Sequence, residues 1–599
     1  MTLVSDQTTT DVRWDLSGLF SGIDAPKIDR TLAGVQERVA KFEATYKGKI
    51  DNPHLTVSML LSALKEYESI EQEASKPISF AALLFSTDTG DAARGGFLQK
   101  MREKTTELSL PTIFFSLELA AAEESVIAPL MAKAELANYR HYVDNVRLYK
   151  DHMLAEPEER ILEETANTAA RAWDRLFDEI TANAVFKVGD EELTQPQVLS
   201  RLYSPDREVR RAAAAGFSEG LQENSKTIGF VFNTLMQDKN VRDRIRKYTY
   251  PEESRHLSNE LPRKTVDLVV DTVYRNYPVV SRYYKVKGEI LGVGLTHYDR
   301  YAPLFAADAG ISFDEAKTTV LDAFGEFSPV MREHAKAFFD GNWIDAAPAK
   351  GKQGGAYCSY ITPDHHPYVF MNFLGKMKDV MTLAHELGHG VHSSLSREQT
   401  LLNFHGTLPL AELASTFGEM LVFEKVQSTA TLKDRLAMYA EKIEGTFATI
   451  PRQTAMYRFE QAIHAHRRDK GELTLADFGN YWQTEIQAMF GDSVELGEEH
   501  RLWWSYIGHF TGSPFYVYAY SFGELLVLSL YRRSLTEGKA FADKYLKMLR
   551  AGGSLTPQEL VAIVDVDLDD PAFWQGGFDV LGDMVARFES LWAEYKAAE

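Results

Sequence analysis

The run His385-Glu386-Leu387-Gly388-His389 constrains this chain more than any other stretch. Residues four apart on a helix share a face, about one turn from each other, so the two imidazoles can address one metal ion. Glu386 follows the first imidazole directly, where a carboxylate can reach a water on that metal and take its proton. Residues 379–394 read as a helix, because Val380, Leu383, Ala384, Leu387 and Val391 recur at the spacing of a buried stripe. Asp379 or Thr382 is the candidate cap. Gly388 and Gly390 oppose the helix by about 1 kcal/mol each relative to alanine. A helix that keeps them needs something to approach closely, either a crossing helix or a peptide backbone.

A catalytic zinc site has three protein ligands and an open position for water. The candidate third ligand is Glu412. After the turn-rich stretch 403–406, a second helical pattern begins near Pro409, a residue suited to the first helical position. Glu412 falls in the first turn of that pattern among apolar residues, an expensive place for an unpaired carboxylate unless a cation relieves it. The plainer reading is a helix-start charge that complements the macrodipole. Glu419 lies seven residues on, two turns down the same expected face, and is the candidate to orient a ligand histidine from behind.

The segment His385-Glu386-Leu387-Gly388-His389-Gly390-Val391-His392, followed by Glu412-Leu413-Ala414-Ser415-Thr416-Phe417-Gly418-Glu419, resembles the thimet oligopeptidase-like metallopeptidases, most of all their oligoendopeptidase F branch. Trp14-Asp15-Leu16-Ser17-Gly18-Leu19-Phe20, Gly351-Lys352-Gln353-Gly354-Gly355-Ala356-Tyr357 and Pro367-Tyr368-Val369-Phe370-Met371-Asn372-Phe373 resemble the same branch. The resemblance implies a mainly α, multi-lobed helical bowl around a deep channel, with a zincin core and a small β-sheet beside the active site. It implies cleavage of short peptides, one zinc ion held by His385, His389 and Glu412, and Glu386 as general base. It also implies a histidine and tyrosines, on a loop leading into a helix, that stabilise the oxyanion of peptide hydrolysis. Within 503–523 the spacing favours His509, Tyr516 and Tyr520, with aromatic core packing as the alternative for each tyrosine. Ser513-Pro514-Phe515 stands where some relatives carry a longer glycine-rich loop.

At 599 residues the chain is too long for one ordinary core. The expected division is an N-terminal helical lobe, 1–203, and a catalytic domain, 204–599. Stretches 55–71, 92–106 and 157–177 read as amphipathic helices, and 183–194 as a small hairpin. A further helix opens at Ser204-Pro205-Asp206, with Arg207, Glu208, Arg210 and Arg211 on its outer side. The β-rich runs 356–361 and 368–373 flank a turn, and an edge strand beside a metal site can pair with an extended peptide. His297 and Asp299 read as structural. His365 and His366 are adjacent on a turn and seldom point at one ion, and His464 and His466 do not share a helical face. Gly351 to Gly355 is glycine-rich but lacks the spacing of a phosphate loop.

A net charge of -21 argues against a nucleic-acid role and gives no support for binding an anionic membrane. The single cysteine, Cys358, excludes an internal disulfide framework and suits a reducing compartment. Residues 1–11 are polar and carry no secretory signal, and no run approaches the roughly 18 apolar residues of a membrane span. The expectation is a soluble, cytoplasmic zinc metalloendopeptidase acting on short oligopeptides. The rivals are a metal-dependent exopeptidase on a related helical fold and a non-catalytic peptide-binding protein. Cleavage preference and oligomeric state are not legible in the sequence.

Overall fold

Periodic apolar residues turn most of the chain into helices. The computed structural model, which describes residues 12–166, 168–305 and 310–598, is mainly α with two small sheets. The segment read for a secretory signal, 1–11, lies outside the described residues. Two compact units form, each from separated stretches of chain. The first comprises Met1–Lys150, Asp308–Thr429 and Arg533–Asp567; the second comprises Asp151–Ala307, Ala430–Arg532 and Leu568–Glu599. Position 203, the expected dividing point of the sequence, lies within the second unit.

In the first unit, Thr56 accepts the Met59 N–H and opens the helix Val57–Thr87. This helix outruns the expected stretch because its buried stripe continues through Ile70, Ala74, Pro77, Phe80 and Ala81. Asp91 caps the next helix, Ala92–Ser109, by accepting from Ala93 and Arg94. In the second unit the pattern over 157–177 resolves into two helices, Glu156–Ala166 and Ala170–Asn183.

Among the described residues five short strands form: β1 (Phe186–Val188), β2 (Glu191–Leu193), β3 (Ile344–Asp345), β4 (Tyr357–Ser359) and β5 (Tyr368–Phe370). β1 and β2 form the expected antiparallel hairpin, turning at Gly189 with φ 63°. In the first unit the order is β3-β5-β4, with β5 parallel to β3 and antiparallel to β4, where Cys358 faces Val369. β4 is therefore an edge strand. The Val369 and Met371 N–H groups bond to the Trp343 and Asp345 carbonyls. Tyr368 and Phe370 then face Ser359 and Tyr357, which turns the main-chain groups of Cys358 to the free edge.

Lys352 ties the glycine-rich loop to this sheet. Its buried ammonium donates to Asp345 Oδ1 at 2.6 Å and to the carbonyls of Asp345, Ala347 and Met371 at 3.2, 3.0 and 2.6 Å. Those contacts satisfy its charge internally, in keeping with the reading against a phosphate site.

The helix Met377–Ser396 carries the histidine motif and packs on β4, β5 and the helix Ser415–Thr429. Asp379 caps it from within the first turn, accepting the N–H groups of Leu374 and Lys376 at 2.8 and 2.9 Å. Thr382 does not cap; its hydroxyl donates back to the Lys378 carbonyl at 3.0 Å. The need for glycine is explicit at Gly388. A Cβ there would lie 2.3 Å from the Ala414 carbonyl oxygen and 2.6 Å from Ser415 Cα. At Gly390 it would lie 2.3 Å from the Phe338 ring. A crossing peptide backbone thus occupies the space that a side chain would take.

In the second unit, Asp206 caps the helix Arg207–Ile245 by accepting the Glu208 N–H at 2.8 Å. The expectation that Arg207 and Arg210 face outward is corrected. Both turn onto the buried Asp299, at 2.8 and 3.0 Å, and Arg210 is itself buried. A run of charges reads as a solvated face unless an acid distant in sequence draws part of it inward. Asp299 Oδ2 also accepts from the N–H and the hydroxyl of Thr296, at 3.1 and 3.0 Å, which fixes the Thr296–Asp299 turn, as expected for a structural role.

Gly388→Ala is expected to destabilise the protein by about 1–3 kcal/mol through overpacking. It should also weaken divalent-metal binding, because the segment forced off Gly388 carries Glu412. Thermal unfolding with and without metal, and metal titration of the variant, check both effects.

Candidate metal centre

His385 and His389 project from one face of the motif helix, with ring centres 4.8 Å apart. Glu412 does not stand inside the second helix as the sequence pattern suggests. Pro409 belongs to a short 3-10 turn, Leu408–Leu410, the chain then turns through 411–414, and the helix starts at Ser415. The close crossing at Gly388 sets that start, because the Ala414–Ser415 backbone must turn against the motif helix. Glu412 sits at the entry of the helix: its carbonyl accepts from Thr416 N–H at 3.3 Å and its Oε2 from Ser415 Oγ at 2.6 Å. Glu412 and Glu419 therefore do not share one helical face, yet both reach His385. Glu412 Oε2 lies 3.3 Å from His385 Nε2 and 3.5 Å from His389 Nε2. Glu419 Oε1 lies 2.6 Å from His385 Nδ1 on the opposite side of the ring.

These separations suit a divalent cation. Donors at about 2.0–2.2 Å from a tetrahedral ion stand about 3.3–3.6 Å apart. Among the described residues, His385, His389 and Glu412 are the group of three ligand atoms that come within 4.8 Å of one another. With Nδ1–H of His385 donated to Glu419, Nε2 is left with its lone pair toward that point.

The charges are unevenly shared. Burial works against a proton on His385, but the hydrogen bond and charge of Glu419, with the carboxylates of Glu412 and Glu386, push its pKa up to about 9. His389 goes the other way, to about 4, because burial outweighs the pull of Glu412. Glu386 is buried, its Oε2 has no partner among the described residues, and burial pushes its pKa up to about 7, with Glu412 and Glu419 adding to the rise and His385 opposing it.

A cavity of about 500 Å³ opens on this group, walled also by Cys358, Tyr360, His392, Phe404 and His405. None of these five has a site role that follows from the sequence pattern. Tyr360 comes from just past the edge strand and stacks on His405 with ring centres 5.2 Å apart. His392 lies one turn past His389; its buried Nδ1 has no partner among the described residues, and burial lowers its pKa to about 3. Its place in the motif run was the one available signal. Burial lifts the Cys358 thiol and the Tyr360 hydroxyl well above their ordinary ranges. His366 instead stacks on Trp343 with ring centres 3.9 Å apart, and His365 Nδ1 lies 2.9 Å from the His366 carbonyl oxygen.

His509, Tyr516 and Tyr520 lie in the second unit and form a cluster of their own. His509 Nε2 is 3.2 Å from the Tyr520 hydroxyl, and the Tyr516 ring lies 5.8 Å from His509 and 5.0 Å from Tyr520. Tyr518, between them in sequence, is buried and accepts from Asn259 at 2.7 Å.

The sequence model of peptidase family M3 matches residues 200–580, and that of oligopeptidase F matches 118–186. This chain belongs to peptidase family M3. Oligopeptidase PepF of Bacillus subtilis is 27% identical, over 97% of this chain and 88% of its own. A crystal structure named as a peptidase from Chlamydophila abortus superposes with a TM-score of 0.85 at 23% identity, covering 97% of this chain and 98% of that one. Oligoendopeptidase-F from Enterococcus faecium gives 0.71 at 22% identity, covering 95% and 99%. The M3 chain described here is a metallo-oligopeptidase, as its motifs imply, and His385, His389 and Glu412 are the candidate holders of its metal. Among the described residues no helix is long and apolar enough to cross a membrane.

Glu419→Gln is expected to weaken metal binding about 10- to 100-fold, as loss of a partner behind a ligand histidine does; competition with a chelator measures it. In metal-free protein, Glu386 binds a proton more tightly folded than unfolded, between its ordinary 4.5 and about 7. Its favourable share of stability is complete below 4.5 and is lost as pH rises through 7. Glu386→Gln removes that loss, so the variant's thermal midpoint should gain on wild type between pH 5 and pH 8.

Proposed function

We propose that this chain is a zinc endopeptidase that hydrolyses internal bonds of short oligopeptides. The observation that carries the reading is the convergence of Glu412 Oε2 with both Nε2 atoms, at 3.3 and 3.5 Å, beside the buried carboxyl of Glu386. Two neutral imidazoles and a carboxylate form a donor set that zinc accepts. When bound, zinc would polarise the scissile carbonyl and acidify a water molecule.

The chain's own residues then have distinct tasks. His385, His389 and Glu412 hold the ion, and Glu419 keeps His385 in the tautomer and orientation that ligation requires. Glu386 takes the proton from the attacking water and delivers it to the leaving amine. Its burial favours this exchange by keeping its proton affinity near neutrality. His509, Tyr516 and Tyr520 donate hydrogen bonds to the oxyanion, a task suited to their residue types and mutual contacts. The free edge of β4, beside the cavity, pairs with the extended peptide through main-chain groups, so binding depends little on side-chain identity. We place the protein in the cytoplasm, and assign 1–203 as an N-terminal helical lobe and 204–599 as the catalytic region.

Glu386→Gln should retain metal and lose at least about 1,000-fold in kcat, as removal of an essential proton carrier does. Undiminished activity in contaminant-free variant would remove Glu386 from the mechanism. Peptides blocked at both termini should still be cut internally. Cleavage restricted to free termini would indicate an exopeptidase, and peptide binding without any chelator-sensitive cleavage a binding protein.

A further inference from the structure

The segment that carries Tyr516 contains an unfavourable backbone conformation. The Tyr516 N–H bonds to the Ser513 carbonyl at 3.1 Å, closing a reverse turn with Pro514 second and Phe515 third. Phe515 has φ 58°, a left-handed value that such a turn normally assigns to glycine. A phenylalanine there must be held by its surroundings.

Two side chains of the second unit hold it. Glu460, on the helix Pro451–Asp469, accepts the Phe515 N–H on Oε1 at 2.8 Å, and Arg255 donates Nε–H to the Pro514 carbonyl at 3.3 Å. The Phe515 ring is buried, with centres 4.7 Å from His464 and 6.0 Å from Tyr457. Glu460 is itself buried, and its second oxygen has no partner among the described residues. A buried carboxyl facing one backbone N–H is costly unless that bond has a use. Tyr516 is the fourth residue of the turn, and its ring contacts His509 and Tyr520.

We propose that Glu460 is a positioning residue: by holding the Phe515 N–H it fixes the turn 513–516 and with it the placement of Tyr516 in the His509–Tyr516–Tyr520 donor group. The proposal rests on the reading of that group as oxyanion donors. Burial raises the pKa of Glu460 to about 8, against the pull of the Phe515 N–H and of Arg255, which favours its neutral form near neutral pH. A glutamine, which offers the same carbonyl oxygen, should serve equally well.

The test uses the full-length, metal-loaded protein and an internally quenched peptide, with kcat and KM determined separately. Thermal midpoint and metal content are recorded for every variant. Glu460→Leu is expected to lower kcat about 10- to 100-fold, as a displaced oxyanion donor does, with KM and metal content near wild type. Glu460→Gln should restore wild-type kcat. Tyr516→Phe combined with Tyr520→Phe should lose at least as much as Glu460→Leu, and adding Glu460→Leu should cost nothing further. Additive losses, or a glutamine variant as impaired as the leucine one, overturn the proposal. Full kcat in Glu460→Leu, with loss in the tyrosine variant, overturns the role of Glu460 and leaves the donor reading standing. Full kcat in the variant lacking both hydroxyls sinks the donor reading, and this proposal with it. If Glu460→Leu does not fold, Glu460→Met, which keeps a long buried side chain but offers the Phe515 N–H no oxygen, takes its place: a lower kcat there at unchanged KM supports the proposal, and unchanged kcat overturns it.

Discussion

The close crossing of two backbones at Gly388 is the contact on which the rest of the metal centre depends. A pair of histidines four apart offers two ligands from one helix, and among the described residues no third side chain of that helix joins them at ligand distance. The third must arrive from another segment, and ordinary helix packing keeps axes about 8–10 Å apart. With no side chain at Gly388, the Ala414 carbonyl and Ser415 sit against the motif helix, in space a methyl group would fill. Glu412, two residues before that contact, then has its carboxylate within reach of both imidazoles. The helix gives up about 1 kcal/mol for the glycine and obtains a ligand set that its own periodicity cannot supply.

Electrostatics around this crossing show what the centre lacks when it is metal-free. Glu386, Glu412 and Glu419 surround His385 and His389, an excess of acid in a largely buried place. The shifts follow: Glu386 and His385 both hold protons more tightly than usual, while His389 stays neutral. Two groups, His385 and Glu386, retaining protons next to the two further carboxylates of Glu412 and Glu419 means that the fold favours positive charge at this point. A divalent cation meets that demand and would lower the proton affinity of both groups. Proton and metal thus compete for one site.

How much of this was legible in the sequence depends on the range of the interaction concerned. The motif helix follows from local spacing, Asp379 is one of the two caps that spacing offers, and the two glycines signal a close approach without saying which segment makes it. Glu412 was identifiable from its apolar surroundings, but its element was not, because the helix begins where a tertiary contact forces a turn. Glu419 is expected behind one of the ligand histidines without the sequence saying which, on the ground that it shares a face with Glu412; it lies against His385 Nδ1 from a helix that Glu412 does not share. Tyr360 and His405 were invisible as cavity walls, since neither a strand end nor a loop leaves a period to read. Arg210 reads as surface from its charged neighbours. Its acid partner, Asp299, is 89 residues away.

Lys352 and Glu460 show a common answer to irregular backbone beside chemistry. Loops cannot satisfy their main-chain groups through a ladder or a helical turn, so each such group needs another partner or water. Lys352 answers three carbonyls around the sheet that flanks the cavity, with Asp345 neutralising its charge. Glu460 answers one N–H in the turn before Tyr516. At Phe515 a long side chain from elsewhere in the same unit does what glycine would otherwise do, and it fixes the turn more tightly than glycine would. Glycine makes a left-handed turn easy but leaves it free to move; a phenylalanine held by its own N–H is confined to that conformation. A turn built on Ser-Pro-Phe therefore gives up conformational freedom, and the carboxyl that binds the Phe515 N–H helps hold the left-handed phenylalanine.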